Sequence, residues 1–247
     1  MTEDRYFKFT NSVLLVPMMA VLLIWVVFWI EVRFRINLND LGVYPRTLKG
    51  LRGVLFSPFI HGSLSHLYNN TIPIAVLSAA LMYFYRDVAF RVLVFGFFIG
   101  GLLTWIIGRP SYHIGASGMI YVLASFIFFK GAFTRHFRLM ALSLIVVFVY
   151  GSMLWYIFPV NEGISWEGHL AGFITGLILA FFVKTDIPKP RKYAWEHEDY
   201  NEEEDDFLRH FDEDGNFIEN PEGVEDSKPG IQIRYPYRKN DPKPPEE

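Results

Sequence analysis

The sequence predicts an all-α membrane protein: a bundle of six transmembrane helices, the fourth short and starting below the membrane surface, followed by an acidic tail. Three observations carry this reading. Of 247 residues, 51% are hydrophobic, and the mean hydropathy is positive. The apolar residues fall in long runs, not in the alternating or helical periods of an ordinary soluble domain, and long uncharged runs are the mark of membrane spans. Polar residues inside those runs are few. The net charge of −3 gives no basis for nucleic-acid binding. The absence of cysteine excludes a disulfide scaffold, a thiol nucleophile and a cysteine metal site. No metal or cofactor is expected.

The expected spans are Ser12–Ile30, His66–Tyr85, Ala89–Ile107, Ser117–Lys130, Leu139–Phe158 and Gly168–Val183. Ser12–Ile30 is longer than a signal-peptide core and has no small-residue cleavage site after it, so it reads as a retained first span. A spanning helix needs about 20 residues. The fourth and sixth runs fall short of that and are expected to begin inside the bilayer, where they must be shielded by protein or line a water-filled cavity. Glu31 to Ser65, with Pro45, Gly50, Gly53 and Pro58, reads as an ordered, partly membrane-associated first loop.

An even number of spans puts both termini on one side. That side would hold Arg5 and Lys8, Arg86 and Arg91, Lys130, Arg135 and Arg138, then Lys189, Arg191 and Lys192. By the positive-inside rule both termini are cytoplasmic, and the expected host is a bacterial plasma membrane. Arg33, Arg35, Arg46, Lys49 and Arg52 in the first loop oppose this rule and are accommodated only if that loop is folded. Residues 1–11 form the N-terminal segment and 12–184 the membrane domain. From 185 to 247 the chain turns acidic and Pro-rich, a composition that buries no core and is expected to be disordered. Asp212-Glu213-Asp214-Gly215-Asn216 hints at a calcium loop with the wrong ligand spacing and reads as a solvated acidic turn.

Ionisable and polar groups inside spans are costly, so each is a candidate for function. Ser117 lies in Gly115-Ala116-Ser117-Gly118, where a polar stretch meets the fourth apolar run. His169 stands alone in the sixth. A serine becomes a nucleophile when a neighbouring base takes its proton, and histidine is the usual base. The usual third member is a carboxylate that orients the base, but no Asp or Glu lies within a span interior; Glu167 sits at a boundary. The pair would be a dyad, with Tyr121, one turn beyond Ser117, available to stack on His169. His66 and Asn70, four residues apart, share a face and can each donate to an oxyanion; the Ser117 amide at a helix start is a third donor.

Each feature has a plainer reading. Gly115, Gly118 and the ridge of Gly168, Gly172 and Gly176 fit helix packing, since small residues at this spacing recur in membrane helices. His66 and Asn70 fit interhelical hydrogen bonding. Tyr121 fits ordinary packing, and His61 and His113 fit interfacial residues without a role. The packing and catalytic readings are compatible, because a glycine ridge is what brings a histidine to a serine on another helix.

The constellation resembles the rhomboid intramembrane serine proteases. The matching pieces are Gly115-Ala116-Ser117-Gly118 at the start of the fourth span, His66 and Asn70 in the second, and His169, Gly172 and Gly176 in the sixth, over roughly Ser12 to Val183. The resemblance implies Ser117 as nucleophile, His169 as general base, and His66, Asn70 and Gly115 at the oxyanion and substrate-binding site. It implies Tyr121 packed on the histidine and His61 supporting the first loop. It also implies a bundle around a water-filled cavity entered sideways by a substrate transmembrane helix. Two departures stand out: Gly50-Leu51-Arg52-Gly53 keeps the arginine of the first-loop Trp-Arg pair without the tryptophan, and Ala80-Leu81-Met82-Tyr83 lacks the Gly/Glu pattern of many members. The expected function is a serine endopeptidase acting on transmembrane segments of membrane proteins in the bilayer. The alternatives are a catalytically silent relative that binds transmembrane helices and, less fitting, a small transporter. The oligomeric state is left open.

Overall fold

The computed structural model describes residues 7–134, 136–160, 163–186, 193–196, 198–205, 207–212 and 214–219. Residues 1–6, Arg135, Lys189, Arg191, Lys192, Asp206 and the Pro-rich end from residue 220 lie outside the described residues. The chain divides into two units, Met1–Arg191 and Lys192–Glu247.

The first unit is helical. Its long helices are α1 (Ser12–Phe34), α4 (Leu64–Phe84), α5 (Ala89–Ile107), α6 (Ser117–Thr134), α7 (Phe137–Tyr150) and α8 (Trp166–Phe182). Two short helices, α2 (Leu48–Leu51) and α3 (Gly53–Phe56), lie in the first loop. The helix α7 continues as a 3-10 segment, Gly151–Ile157. Five segments are long and apolar enough to cross a membrane: α1, α4, α5, α6 and α7 with its 3-10 extension. The 17-residue α8 is apolar but shorter. Every expected span falls on one of these helices. The differences are at the ends: α1 runs on to Phe34, α6 to Thr134, and the fifth span changes to 3-10 geometry after Tyr150.

The helix α6 is the centre of the unit. Half of its span is buried, against 17% for α1, α5 and the fifth span. Apolar residues surround it on all sides, as a helix enclosed by others requires. Its closest partner is α8, and glycine decides how close. A Cβ at Gly172 would overlap the carbonyl oxygen of Gly118, and one at Gly176 would overlap that of Val122. The two backbones therefore touch without side chains between them. Ser125 Oγ donates to Phe173 O across the same seam at 2.8 Å. At its far end Lys130, buried, donates from Nζ to Ala180 O and Val183 O at 3.1 and 2.6 Å. Those carbonyls are among the ones a helix end leaves without partners, and a cation there complements the helix dipole.

The first loop is ordered and rests on the end of α5. Arg46 Nη1 donates to Ile106 O and Gly108 O at 3.0 and 2.8 Å, which satisfies the carbonyls at the α5 terminus. Trp105 Nε1 donates back to Thr47 O at 2.9 Å. Arg52, the arginine of the incomplete Trp-Arg pair, reaches Asp40, with Nη2 3.2 Å from its carbonyl and 3.4 Å from Oδ2. Val43 and His113 exchange both backbone hydrogen bonds, at 3.0 and 2.9 Å. This isolated bridge ties the first loop to the segment entering α6.

The described parts of the second unit hold short 3-10 turns, Ala194–Glu196, Glu202–Glu204 and Leu208–His210, and a bridge between Phe211 and Phe217. Asp212 Oδ1 accepts from the backbone N–H groups of Asp214 and Asn216, so this carboxylate closes its own turn.

The glycine contact gives a direct test. Gly172→Ala forces α8 away from α6, an overpacking that costs about 1–3 kcal/mol, and should lower the thermal midpoint in detergent micelles by several degrees. Gly151→Ala meets nothing closer than Val147 Cγ1 at 3.6 Å and should leave it unchanged.

Candidate active site

The segment leading into α6 is held from three sides. His113 pairs with Val43, the Gly115 N–H donates to Ser57 O at 2.8 Å, and the Ala116 N–H donates to His61 Nε2 at 3.4 Å. Gly115 has φ +107°, a conformation that side chains resist, and a Cβ there would also lie 2.6 Å from His66 Nε2. Glycine at 115 is thus required twice, by the backbone and by the His66 ring packed on it. This turn ends at Ser117, the first residue of α6. Its N–H has no acceptor among the described residues.

His169, in the first turns of α8, faces Ser117. The separation from His169 Nε2 to Ser117 Oγ is 2.9 Å. His169 Nδ1 lies 3.0 Å from the carbonyl oxygen of Tyr156. A carbonyl only accepts, so Nδ1 carries the proton and Nε2 is left as the acceptor for the serine hydroxyl. The Tyr121 ring stacks on the imidazole, with centroids 4.4 Å apart and planes 16° from parallel. The Tyr121 hydroxyl is itself held, donating to Met153 O at 2.6 Å. The 3-10 segment after α7 thus supplies both carbonyls, Met153 and Tyr156, that fix the histidine and its stacking partner.

Ser117 and His169 open onto a cavity of about 970 Å³, whose wall also includes His66, Asn70, Arg109 and Tyr156. Asn70 Nδ2 donates one hydrogen to His66 O at 3.0 Å, which leaves its second N–H. The His66 ring nitrogens have no hydrogen-bond partner among the described residues. His66, Asn70 and Ser117 thus share the cavity lining, and Gly115 lies against the His66 ring. Among the described residues no group of three or more His, Cys, Asp or Glu could hold a metal ion.

His61 does not line the cavity. It is buried behind the 115–117 turn, edge-on to His66, with Nδ1 3.3 Å from Phe59 O and Nε2 accepting from Ala116. Glu167, two residues before His169, is engaged by Arg109 and not by the imidazole. It accepts from the Arg109 N–H at 3.2 Å and lies 3.7 Å from the Arg109 guanidinium. Among the described residues no carboxylate is hydrogen-bonded to His169, whose two nitrogens are taken by Ser117 and Tyr156.

Two things were not readable from the sequence. A backbone carbonyl has no sequence signal, so the Tyr156 contact could not be anticipated. His113 is buried and bonded to Ser165 and not interfacial; the opposite charges of Arg109 and Glu167, at the entries to α6 and α8, were the available clue that these segments meet.

Burial, with a smaller push from His66, lowers the His61 pKa from 6.5 to about 4. The folded protein therefore binds fewer protons than the unfolded chain between those values. Stability is whole above about pH 6.5 and declines as pH falls toward 4. His113, lowered chiefly by burial, adds to the same slope. The thermal midpoint in micelles should fall between about pH 7 and about pH 4.5. His61→Gln, which keeps an acceptor for Ala116 without titrating, should flatten that fall without abolishing it.

A family model, the Rhomboid domain, matches residues 49–185. An uncharacterized protein of Mycobacterium tuberculosis is 36% identical over 168 residues, 64% of this chain and 68% of the relative. An uncharacterized protein of Mycobacterium leprae is 32% identical over 201 residues, covering 77% of this chain and 78% of the relative. The matched domain takes in more than half of the chain, including His61, His66, Asn70, Ser117 and His169. This integral membrane protein belongs to the rhomboid family.

Proposed function

We propose that this chain is an intramembrane serine endopeptidase that cleaves within or beside the transmembrane segments of other membrane proteins. The observation that carries the proposal is the Ser117 Oγ to His169 Nε2 contact at 2.9 Å, with the imidazole tautomer fixed from behind by Tyr156 O. Ser117 Oγ attacks the substrate carbonyl as His169 Nε2 takes its proton. His169 then returns that proton to the leaving amine, the peptide C–N bond breaks, and an acyl-serine remains. Water from the cavity attacks the acyl group, losing its proton to His169, which returns it to Ser117 Oγ as the acyl C–Oγ bond breaks and the acid product leaves. The developing oxyanion is met by His66, the free N–H of Asn70 and the Ser117 amide, with Gly115 keeping the wall clear of side-chain atoms. Tyr121 holds the imidazole plane, and His61 supports the turn from below.

We place α8 as a sixth span and both termini in the cytoplasm, and take the acidic tail as an appendage without a part in the chemistry. The substrate enters from the bilayer. Carbonyls within a helix are hydrogen-bonded to their own chain, so the substrate must unwind locally before Ser117 reaches one, which favours helix-breaking residues at the cleavage site. The competing reading is a silent relative that binds transmembrane helices. The intact Ser117–His169 contact favours the enzyme.

The test is cleavage of a reporter membrane substrate together with labelling of Ser117 by a fluorophosphonate. Ser117→Ala and His169→Ala should each reduce cleavage by at least about a thousandfold. Asn70→Ala should cost up to about a hundredfold to a thousandfold in turnover. Normal cleavage by Ser117→Ala would overturn the mechanism, and a wild-type protein that neither labels nor cleaves would favour the silent reading.

A further inference from the structure

The short segment before α6 and the short segment before α8 grip one another beside the Ser117–His169 pair. His113 Nδ1 is hydrogen-bonded to Ser165 Oγ. His113 Nε2 lies 3.1 Å from Arg109 O. The carbonyl can only accept, so Nε2 carries the proton and Nδ1 accepts from the serine hydroxyl. Next to this contact Arg109 reaches across twice more, donating from Nη2 to Ile164 O at 2.9 Å and from its backbone N–H to Glu167 Oε1 at 3.2 Å. Glu167 is 2% exposed and His113 4%.

Ser165 links this cluster to the histidine. It is the residue at the N-terminus of α8, where a serine hydroxyl usually caps its own helix. Here it makes no such cap bond and is spent on His113. Its backbone carbonyl meanwhile accepts from the His169 N–H at 3.2 Å. Gly168 leaves the room this needs, since a Cβ there would lie 2.8 Å from Ser165 Oγ. His113 is four residues before Ser117, and Ser165 four before His169. One side-chain contact therefore joins the two segments that carry the reacting pair, at the same spacing from each.

We propose that His113 and Ser165, backed by Arg109 and Glu167, are positioning residues that set the register of α6 against α8 and so the distance between Ser117 and His169. This rests on the protease reading above. The glycine ridge lets the two helices touch but has no knobs of its own to lock, and the hydrogen bonds of Ser125 and Lys130 hold the seam only at its middle and far end. The clamp supplies that lock at the end where the chemistry is placed. Displacements of the order of an ångström in a reacting pair cost about a hundredfold in rate.

The test compares wild type, His113→Phe, Ser165→Ala and the double variant in detergent micelles. It measures kcat and KM on a reporter transmembrane substrate, the rate of Ser117 labelling by a fluorophosphonate, and the nitrogen NMR resonance of His169 Nε2, assigned by its loss in His169→Ala. Ser117→Ala marks where that resonance lies without the serine contact. Each single variant should lose about tenfold to a hundredfold in kcat and in labelling, with KM within about twofold. The double variant should be no worse than the more severe single, because both remove one contact. The Nε2 resonance should move toward its Ser117→Ala position. His113→Asn, which keeps a polar atom near the Nδ1 position, should recover most of the loss. Ser165→Ala deletes a single oxygen and carries the test if His113→Phe does not fold. Wild-type labelling with an unmoved Nε2 resonance in Ser165→Ala overturns the proposal, as do losses that multiply in the double variant. If wild type itself does not label, the protease reading fails, and the clamp is judged on the Nε2 resonance alone.

Discussion

Everything in the membrane unit depends on the direct contact between the backbones of α6 and α8. Gly172 and Gly176 admit the carbonyls of Gly118 and Val122 where any side chain would collide. In a bilayer there is no hydrophobic gain in bringing two apolar helices together, so close packing and interhelical hydrogen bonds must hold them. Both are present along this seam: glycine contact in the middle, Ser125 to Phe173 O beside it, Lys130 on the α8 carbonyls at one end, and Ser117 with His169 at the other. The Ser117–His169 contact is one terminus of a packing interface, so its geometry follows from the interface.

The pair also shows how a histidine is oriented without a carboxylate. An ionised Asp or Glu at this depth would carry a desolvation cost that a carbonyl avoids. The last carbonyls of a helical segment are unsatisfied in any case. At the end of the fifth span the 3-10 segment turns one of them, Tyr156 O, onto His169 Nδ1, while Met153 O, further back in the same segment, accepts from the Tyr121 hydroxyl. The nearby carboxylate, Glu167, is neutralised by Arg109 and serves the junction of two segments.

The first loop completes the site from outside the bundle. Arg46 anchors it on α5, Val43 pairs with His113, and Ser57 O and His61 take the amides of Gly115 and Ala116. These bonds consume the donors immediately before Ser117 and leave its own N–H without an acceptor among the described residues, at a residue that lines the cavity with His66 and Asn70. A loop with unusual positive charge and several glycine and proline breaks is therefore a structural buttress that hydrogen-bonds to the end of α5 and to the segment entering α6.

Composition and run length determined the helices: six apolar runs coincide with α1 and α4 to α8, because a membrane span must satisfy its own backbone and be uniformly apolar, and both demands are local. The same logic singled out Ser117, His169, His66 and Asn70, since polar residues in such runs are rare enough to count. Their spacing also put Tyr121 within reach of His169. What the sequence left open was decided by contacts between distant segments. Whether a glycine ridge merely packs or delivers a histidine, where Glu167 points, what holds Nδ1, and whether His113 is idle all depend on which backbone lies opposite. A carbonyl such as that of Tyr156 is identical at every position of the chain and acquires its role only when the fold brings it within 3.0 Å of an imidazole.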